Sequence, residues 1–260
     1  MSRVEQKGGK KKRREKKMEP ITLVIILVCI IIGGMLGSLG VHLLPVGGAP
    51  AAMATATGIA TGCVMLMTGS AVTGLFTASS VATFWESNPS VLLVSLSGGV
   101  GAMLMMGFTM LIANLIYIFG AGVVPVSGRA AVDPITKESQ TEYKTPRTDG
   151  HGVPNVCFYS GIVGGFVGGF GGALIYVVLV SSGYAGFSVE TAVVVALGIF
   201  IANAIMAAYN IGGTIEGFHD PKFKERIVTG LTCAFVISLM CGIMVLIAIE
   251  TGTLGAGGVL

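Results

Sequence analysis

The sequence predicts an all-α polytopic membrane protein with about six transmembrane helices and no soluble domain. Only 11% of its 260 residues are charged, against roughly 25% in soluble chains. Between Met18 and Gly128 the only Asp, Glu, Lys or Arg side chains are Glu19 and Glu86. This number of charges is too small to cover the surface of a soluble fold of this size. A membrane must therefore surround most of the chain.

The first element is a basic segment, residues 1–20, which holds nine Lys/Arg and three Glu and has no apolar periodicity. We expect it to be a disordered cytoplasmic tail, because Lys and Arg beside a first hydrophobic segment hold that end in the cytoplasm. Contact with anionic lipid headgroups is a second interpretation of the same charges.

Six apolar stretches follow, each close to the length of about 20 residues that crosses a bilayer. We place them within a bundle over residues 21–250, with polar loops at 125–154 and 212–226 and a Gly-rich tail at 251–260. The predicted spans are residues 21–44, 51–81, 91–124, 156–180, 189–211 and 227–250.

The second stretch, residues 51–81, is rich in Thr, Ser and Gly. With six crossings of the cell membrane and a cytoplasmic N-terminus, both polar loops would lie outside, against the positive-inside rule. A broken or re-entrant second segment would remove that conflict, and such a segment is tolerated where protein covers it. Six ordinary spans is the count that we keep as the expectation.

The ends of three segments suggest a repeat of helix pairs. The pattern of Pro or Asn, an aliphatic residue, Gly or Ser, and Gly occurs at residues 45–48, 125–128 and 210–213. The alternative is that Pro and Gly simply punctuate helix ends.

A double row of glycines marks the fourth segment. On a helix, glycines four positions apart give a face almost without side chains, which lets a partner backbone approach closely. We therefore predict a helix–helix or subunit contact at Gly161, Gly164, Gly165, Gly168, Gly169 and Gly172.

Enzyme signatures are absent from the sequence. There is no Walker A loop, no H-E-x-x-H and no Cys/His cluster with zinc spacing, and the five cysteines show no C-x-x-C. We expect this chain to bind no cofactor and to have no active site of its own.

The richest polar stretch is residues 210–222. An amide, a hydroxyl and a carboxylate beside a Gly-Gly form an oxygen ligand set that suits a hard cation such as Na⁺. The candidate Na⁺ ligands are Asn210, Thr214 and Glu216. The alternative is a helix-ending loop whose acidic side chains pair with Lys222, Lys224 and Arg226.

Several long motifs resemble one family. They are VHLLPVGGAPAAMATATG at residues 41–58, NLIYIFGAGVVPVS at 114–127, VDPIT at 132–136, GHGVPNVC at 150–157 and YNIGGTIEGFHDPKFK at 209–224. These stretches are similar to the D-subunit family of tetrahydromethanopterin S-methyltransferase, and the likeness runs from about residue 21 to about residue 247.

The resemblance implies a membrane component of a complex of methanogenic archaea. That complex moves a methyl group from methyl-tetrahydromethanopterin to coenzyme M through a cobalt corrinoid on another subunit, and couples this step of methanogenesis to Na⁺ export. The implied partners are the other subunits, especially the multi-span C and E subunits, together with membrane lipids and no nucleic acid. Within that frame the chain either lines a Na⁺ path or acts as a membrane scaffold. An independent secondary Na⁺ transporter is the alternative outside the family.

Overall fold

The computed structural model describes residues 18–45, 59–84, 90–127, 130–143, 150–184, 186–211, 217–218 and 220–254. Within these ranges the chain forms six long helices. They are α1 (Pro20–Leu43), α2 (Ile59–Phe84), α3 (Val91–Leu115), α4 (Asn155–Ser181), α5 (Val189–Ile211) and α6 (Pro221–Glu250). The all-α polytopic fold predicted from composition is confirmed. The basic residues 1–17 and the end of the Gly-rich tail, 255–260, lie outside the described residues.

The helix boundaries follow local chemistry. Proline, which has no N–H to leave unsatisfied, occupies the first position of α1 and of α6. The Ser90 hydroxyl accepts a hydrogen bond from Leu93 N at the start of α3 (3.5 Å). A π-helical turn, Ile116–Ala121, extends α3 and ends at Gly122, whose φ of +67° suits a residue without Cβ.

The polar loop after α3 contains two short strands, β1 (Val126–Ser127) and β2 (Gly150–His151), which pair antiparallel. The buried Asp133 carboxylate accepts hydrogen bonds from Ile135 N (2.8 Å) and Thr136 N (3.0 Å) and organises a turn. The loop is thus folded by local side-chain-to-backbone bonds.

The helices run alternately between two ends of the bundle. We call the end that holds Pro20 the tail end, and the end where α1 finishes the loop end. Gly33 lies against Gly171 and Gly40 against Gly164, so α4 runs antiparallel to α1. Met110 likewise lies against Gly161, so α3 is antiparallel to α4. Both polar loops therefore join helices at the loop end, opposite Pro20.

The core has two parts that match these ends. One cluster contains Ile26 of α1 and Leu179 of α4, near the tail end. The other contains Leu44 and Val156, near the loop end. The first part of α2 contributes Met67 to the loop-end cluster, and its last part contributes Ala82 to the tail-end cluster. Helix α2 therefore also runs from one end of the bundle to the other.

Five described stretches are long and apolar enough to cross a membrane, namely Pro20–Leu43, Val91–Ala121, Asn155–Ser181, Val189–Ile211 and Phe223–Glu250. Helix α2 is less apolar but is continuous over 26 residues, so its described part is neither broken nor re-entrant. Its hydroxyls bond to carbonyls of its own preceding turn, as Thr73 does to Gly69 O (3.0 Å) and Thr77 to Thr73 O (2.8 Å). These bonds satisfy the polar side chains without breaking the helix.

Candidate functional site

The last turn of α5, the end of α1 and the start of α6 meet at the loop end of the bundle. Asn210 lies at this junction, with its side-chain amide nitrogen 2.8 Å from His42 Nε2 and 2.9 Å from the carbonyl oxygen of Arg226. The Arg226 guanidinium returns a hydrogen bond from Nη1 to the backbone oxygen of Asn210 (2.5 Å). We call His42, Asn210 and Arg226 the loop-end clasp.

The hydrogen bonds of the clasp define the state of His42, which is fully buried. Its Nδ1 lies 2.7 Å from Ser38 O, a carbonyl that can only accept, so Nδ1 carries the proton. Nε2 then has a lone pair and accepts from the Asn210 amide. The imidazole is therefore the neutral Nδ1–H tautomer, held between α1 and α5.

Arg226 also binds the C-terminal end of α5. The last carbonyls of a helix lack partners within the helix and carry the negative end of its dipole. The guanidinium meets one of these carbonyls, at Asn210. The clasp thus joins the C-terminus of α5 to the N-terminal part of α6 by two reciprocal bonds.

A second polar layer lies deeper along the same helices. The Ser238 hydroxyl donates to Asn203 Oδ1 (3.2 Å), and Asn203 Nδ2 donates to Ile199 O (3.0 Å). Both side chains are fully buried. A methyl group at Gly34 would lie 2.7 Å from Asn203 Nδ2, so a glycine in α1 makes room for the pair. We call Gly34, Asn203 and Ser238 the inner clasp.

The sequence predicted a Na⁺ site at Asn210, Thr214 and Glu216. Thr214 and Glu216 lie outside the described residues, so the structure places only Asn210, in the loop-end clasp. Because the side-chain nitrogen of Asn210 is already hydrogen-bonded to His42 and to the carbonyl oxygen of Arg226, only its side-chain oxygen Oδ1 remains to coordinate a cation. Among the described residues no group of three or more His, Cys, Asp or Glu side chains could hold a metal ion.

The chain just before α6 is fixed over the ends of α1 and α4. The buried Ser160 hydroxyl donates to Leu43 O (2.6 Å) and accepts from Phe218 N (3.0 Å). Gly217 has a φ of +85° and lies against Ser160, so a side chain here would be both strained and blocked. Asp220, at the start of α6, is 1% exposed. The pairing of the acidic side chains of this loop with Lys222, Lys224 and Arg226 stays a prediction.

The six predicted packing glycines all lie in α4 and face helices of this same chain. A methyl group at Gly164 would lie 2.6 Å from Gly40 O of α1, and one at Gly169 would lie 2.7 Å from Gly98 O of α3. Gly161 and Gly165 also face α3, Gly168 faces Met67 of α2 and Phe200 of α5, and Gly172 faces Phe200. Two rows on one helix thus bring four neighbours close to α4, which occupies the centre of the bundle.

Sequence reasoning missed four functional-site residues. His42 and Ser238 were not singled out because a lone polar residue in an apolar segment does not identify its partner. Gly34 and Gly171 were also missed. The signal that was available is the presence of His42 inside a predicted span, since ionisable residues there are usually paired or functional.

Together these features define the class of protein. The chain is a polytopic helical membrane protein in which buried polar side chains, among them His42, Asn203 and Ser238, lie where α1, α5 and α6 meet.

Comparison with known proteins then gives the family. The family profile of the D subunit of tetrahydromethanopterin S-methyltransferase matches residues 23–238, and the chain belongs to this family. The D subunit of Methanothermobacter marburgensis is 53% identical over 216 residues, which is 81% of this chain and 90% of that relative. The D subunit of Methanocaldococcus jannaschii is 48% identical over 225 residues, covering 86% and 96%. The D subunit of Methanosarcina mazei is 48% identical over 237 residues, covering 86% and 93%. The resemblance seen in the sequence motifs is confirmed.

Proposed function

We propose that this chain is an integral membrane subunit of the methyl-tetrahydromethanopterin:coenzyme M methyltransferase complex and contributes to the module that couples methyl transfer to Na⁺ export. The observation that carries this proposal is family membership over most of the chain, joined to a six-helix membrane bundle. The complex supplies its methyl-transfer chemistry on other subunits, including the cobalt corrinoid.

Within the complex we assign this chain a non-catalytic role. Its described part consists of membrane-length helices with short connections and one folded loop, which leaves little protein to enclose a large cofactor. Its partners in this proposal are the multi-span C and E subunits, which would pack on its exposed helix faces. The N-terminus is placed in the cytoplasm by its basic segment.

The proposed Na⁺ contact lies at the loop end, where Asn210 Oδ1, Thr214 and Glu216 would contribute oxygen ligands at the mouth of the path. What supports this is the buried polar junction of α1, α5 and α6, because polar groups within a membrane span are costly and are usually retained for function. The chain also enters α6 through a segment fixed by Ser160, which would hold nearby ligands in a constant position.

Replacing Glu216 with Gln tests this contact, because one formal charge is lost at constant shape. We expect the assembled complex to need a higher Na⁺ concentration for half-maximal methyl transfer. Glu225→Gln is the matched control, since Glu225 is exposed on α6 and its change should leave the Na⁺ titration unaltered. An unaltered titration for Glu216→Gln as well would remove the site.

A membrane scaffold is the second candidate, and a specific observation favours it. The nitrogen atoms of His42 and Asn210 are satisfied by one another and by backbone carbonyls, as expected for groups that only fasten helices. Under this alternative, substitution of a residue of the loop-end clasp changes the assembly or the stability of the complex. The Na⁺ concentration that the assembled complex needs for methyl transfer stays the same. The third alternative, an independent secondary transporter, predicts that the purified chain alone moves Na⁺ in vesicles.

A further inference from the structure

The first three helices and the last three helices occupy matching positions along the chain. Helix α2 lies between positions 59 and 84 and α5 between 189 and 211, while α3 begins at 91 and α6 at 221. The pairs α1 and α4, α2 and α5, and α3 and α6 are each separated by about 130 positions. The members of each pair run in opposite directions across the bundle, because they are three helices apart in an alternating order. This is the arrangement of an inverted repeat.

The crossing of α1 and α4 is reciprocal. A methyl group at Gly40 would lie 2.6 Å from Gly164 O, and one at Gly164 would lie 2.6 Å from Gly40 O. Gly33 and Gly171 face each other's carbonyl oxygens in the same way. If Gly33 is matched to Gly164, and Gly40 to Gly171, the Gly33–Gly171 contact becomes the Gly164–Gly40 contact, and the reverse also holds. Both matches are 131 positions apart (33 to 164 and 40 to 171), as the local twofold axis of an antiparallel crossing requires, and this number is the shift that relates α1 to α4.

The contacts of α6 with α1 repeat those of α3 with α4. The shift along the sequence is 131 positions from α1 to α4 and 132 from α3 to α6. With these two shifts, three contacts coincide, of which one fixes the shift of α3 onto α6. They are Gly230–His42 with Gly98–Ala173, Ser238–Gly34 with Met106–Gly165, and Gly242–Ile30 with Met110–Gly161.

The sequence carries a trace of the same relation. The glycines of α1 at 33, 34, 37 and 40 form the pattern G-G-x-x-G-x-x-G, and α4 repeats it at 164, 165, 168 and 171. Leu43 and Leu174 continue the match. The identity is confined to the crossing, where only glycine permits the backbone approach.

We call the contact surface between α3 and α4 the α3–α4 seam, and the equivalent surface between α1 and α6 the α1–α6 seam. The two seams differ in the side chains that they contain. Where the α3–α4 seam has Ala173 and Met106, the α1–α6 seam has His42 and Ser238. The α3–α4 seam is closed by backbone contacts, since methyl groups at Gly165 and Gly169 would lie 3.1 Å from Ala102 O and 2.7 Å from Gly98 O.

In the α1–α6 seam the glycines meet only side chains. Gly34 meets Ser238 and Asn203, Gly230 meets His42 and Asn210, and Gly242 meets Leu27 and Ile30. The hydrogen bonds between helices in the two clasps do not join α1 to α6 directly, because each of them involves Asn203 or Asn210 of α5. Side chains can also change rotamer without deforming the backbone. The α1–α6 seam is therefore the more easily separated of the two.

We infer that residues 20–250 form two inverted three-helix repeats, α1–α3 and α4–α6, and that the polar α1–α6 seam separates and closes during each transport cycle while the apolar α3–α4 seam stays closed. This inference rests on the proposed function. It assigns the loop-end and inner clasps a role as reversible fasteners of α6.

Cross-linking of the two seams tests the inference. In a chain whose five native cysteines are replaced by serine or alanine, Ile30→Cys with Gly242→Cys would link α1 to α6. A Cβ atom at Gly242 would lie 3.9 Å from Ile30 Cβ, within the range of disulfides, once the flexible tip of Leu27 moves aside. Gly107→Cys with Ile162→Cys is the control that links α3 to α4, because a Cβ atom at Gly107 would lie 3.8 Å from Ile162 Cγ1.

The measurement is Na⁺ uptake into inverted vesicles that contain the complete complex, driven by methyl transfer, before and after oxidation. We expect oxidation to lower uptake at least tenfold for the α1–α6 pair, dithiothreitol to restore it, and the α3–α4 pair to keep its uptake. Full uptake with α1 and α6 linked, or equal loss for both pairs, would overturn the inference. If a complex without this chain still exports Na⁺ at the full rate, the proposed function itself fails.

Discussion

Replacing Gly164 with Ala should destabilise the bundle, because the added methyl group would lie 2.6 Å from Gly40 O and 3.1 Å from Leu43 Cβ. An ordinary contact between carbon and carbonyl oxygen is about 3.3 Å, so α1 and α4 must separate locally by about 0.7 Å. The nearest obstacle is backbone, so no change of rotamer relieves it. Overpacking of this kind costs about 1–3 kcal/mol.

Gly172→Ala in the same helix is the matched control. A methyl group there would have Phe200 Cδ2 as its nearest neighbour at 3.9 Å, an ordinary van der Waals contact. Replacing Gly with Ala in a helix gains about 1 kcal/mol in either position, so the difference between the two variants isolates the packing cost. We expect Gly164→Ala to be less stable than Gly172→Ala by about 1–3 kcal/mol.

The assay is an SDS titration of the purified complex in detergent, in which the protease-resistant fraction of this chain reports its folded state. The midpoint should fall for Gly164→Ala and should stay equal or rise for Gly172→Ala. Equal midpoints for the two variants would show that α1 and α4 do not approach at these glycines, and would refute the close crossing.

Three further predictions concern the clasp, the tail and the sidedness of the chain. His42→Ala leaves one N–H group of the Asn210 amide without an acceptor and should cost about 1–3 kcal/mol in the same SDS titration; no loss would show that the bond is not made. Deleting residues 2–17 should leave methyl transfer by the complex unchanged if the tail only sets topology or touches lipid, and lost activity in correctly inserted protein would indicate docking to a cytoplasmic partner. With a cytoplasmic N-terminus the loop end faces the outside of the cell. A single cysteine that replaces the exposed Glu138 should then react with an impermeant maleimide in whole cells. Labelling only after lysis would show that the orientation is the opposite one.

The count of helices and most of their bounds could be predicted, because apolar runs of about 20 residues between polar stretches leave the backbone no other way to satisfy its hydrogen bonds in a membrane. The second segment left two alternatives, an ordinary span, which was the expectation kept, and a broken or re-entrant element. Thr73 and Thr77 bond within their own helix, which is continuous. Composition alone cannot distinguish a hydroxyl that faces a cavity from one that bonds to its preceding turn.

The candidate site could be predicted only in part. Asn210 was found because it lies in a dense polar stretch, but its main partner, His42, is 168 positions away. No periodicity connects residues on different helices, so this pairing is invisible until the helices are packed. Asp220 lies in the same polar stretch, and its burial could not be predicted from the sequence.

The inverted repeat could likewise be predicted only in part from the sequence. Gly and Pro at the segment ends suggested helix pairs, whereas the contacts relate sets of three helices in opposite orientations. The pattern G-G-x-x-G-x-x-G was present in both halves of the sequence, but a short glycine pattern gains meaning only when the contacts on both sides of it coincide.

By itself the sequence determined the membrane class, the helices and the family, since each depends on local composition or on continuous motifs. Tertiary structure alone decided which glycine row meets which helix, which polar side chains pair, and which of two equivalent seams contains polar side chains. The physical reason is that close approach and hydrogen bonding act over a few ångströms in space, between atoms that the chain separates by more than one hundred residues.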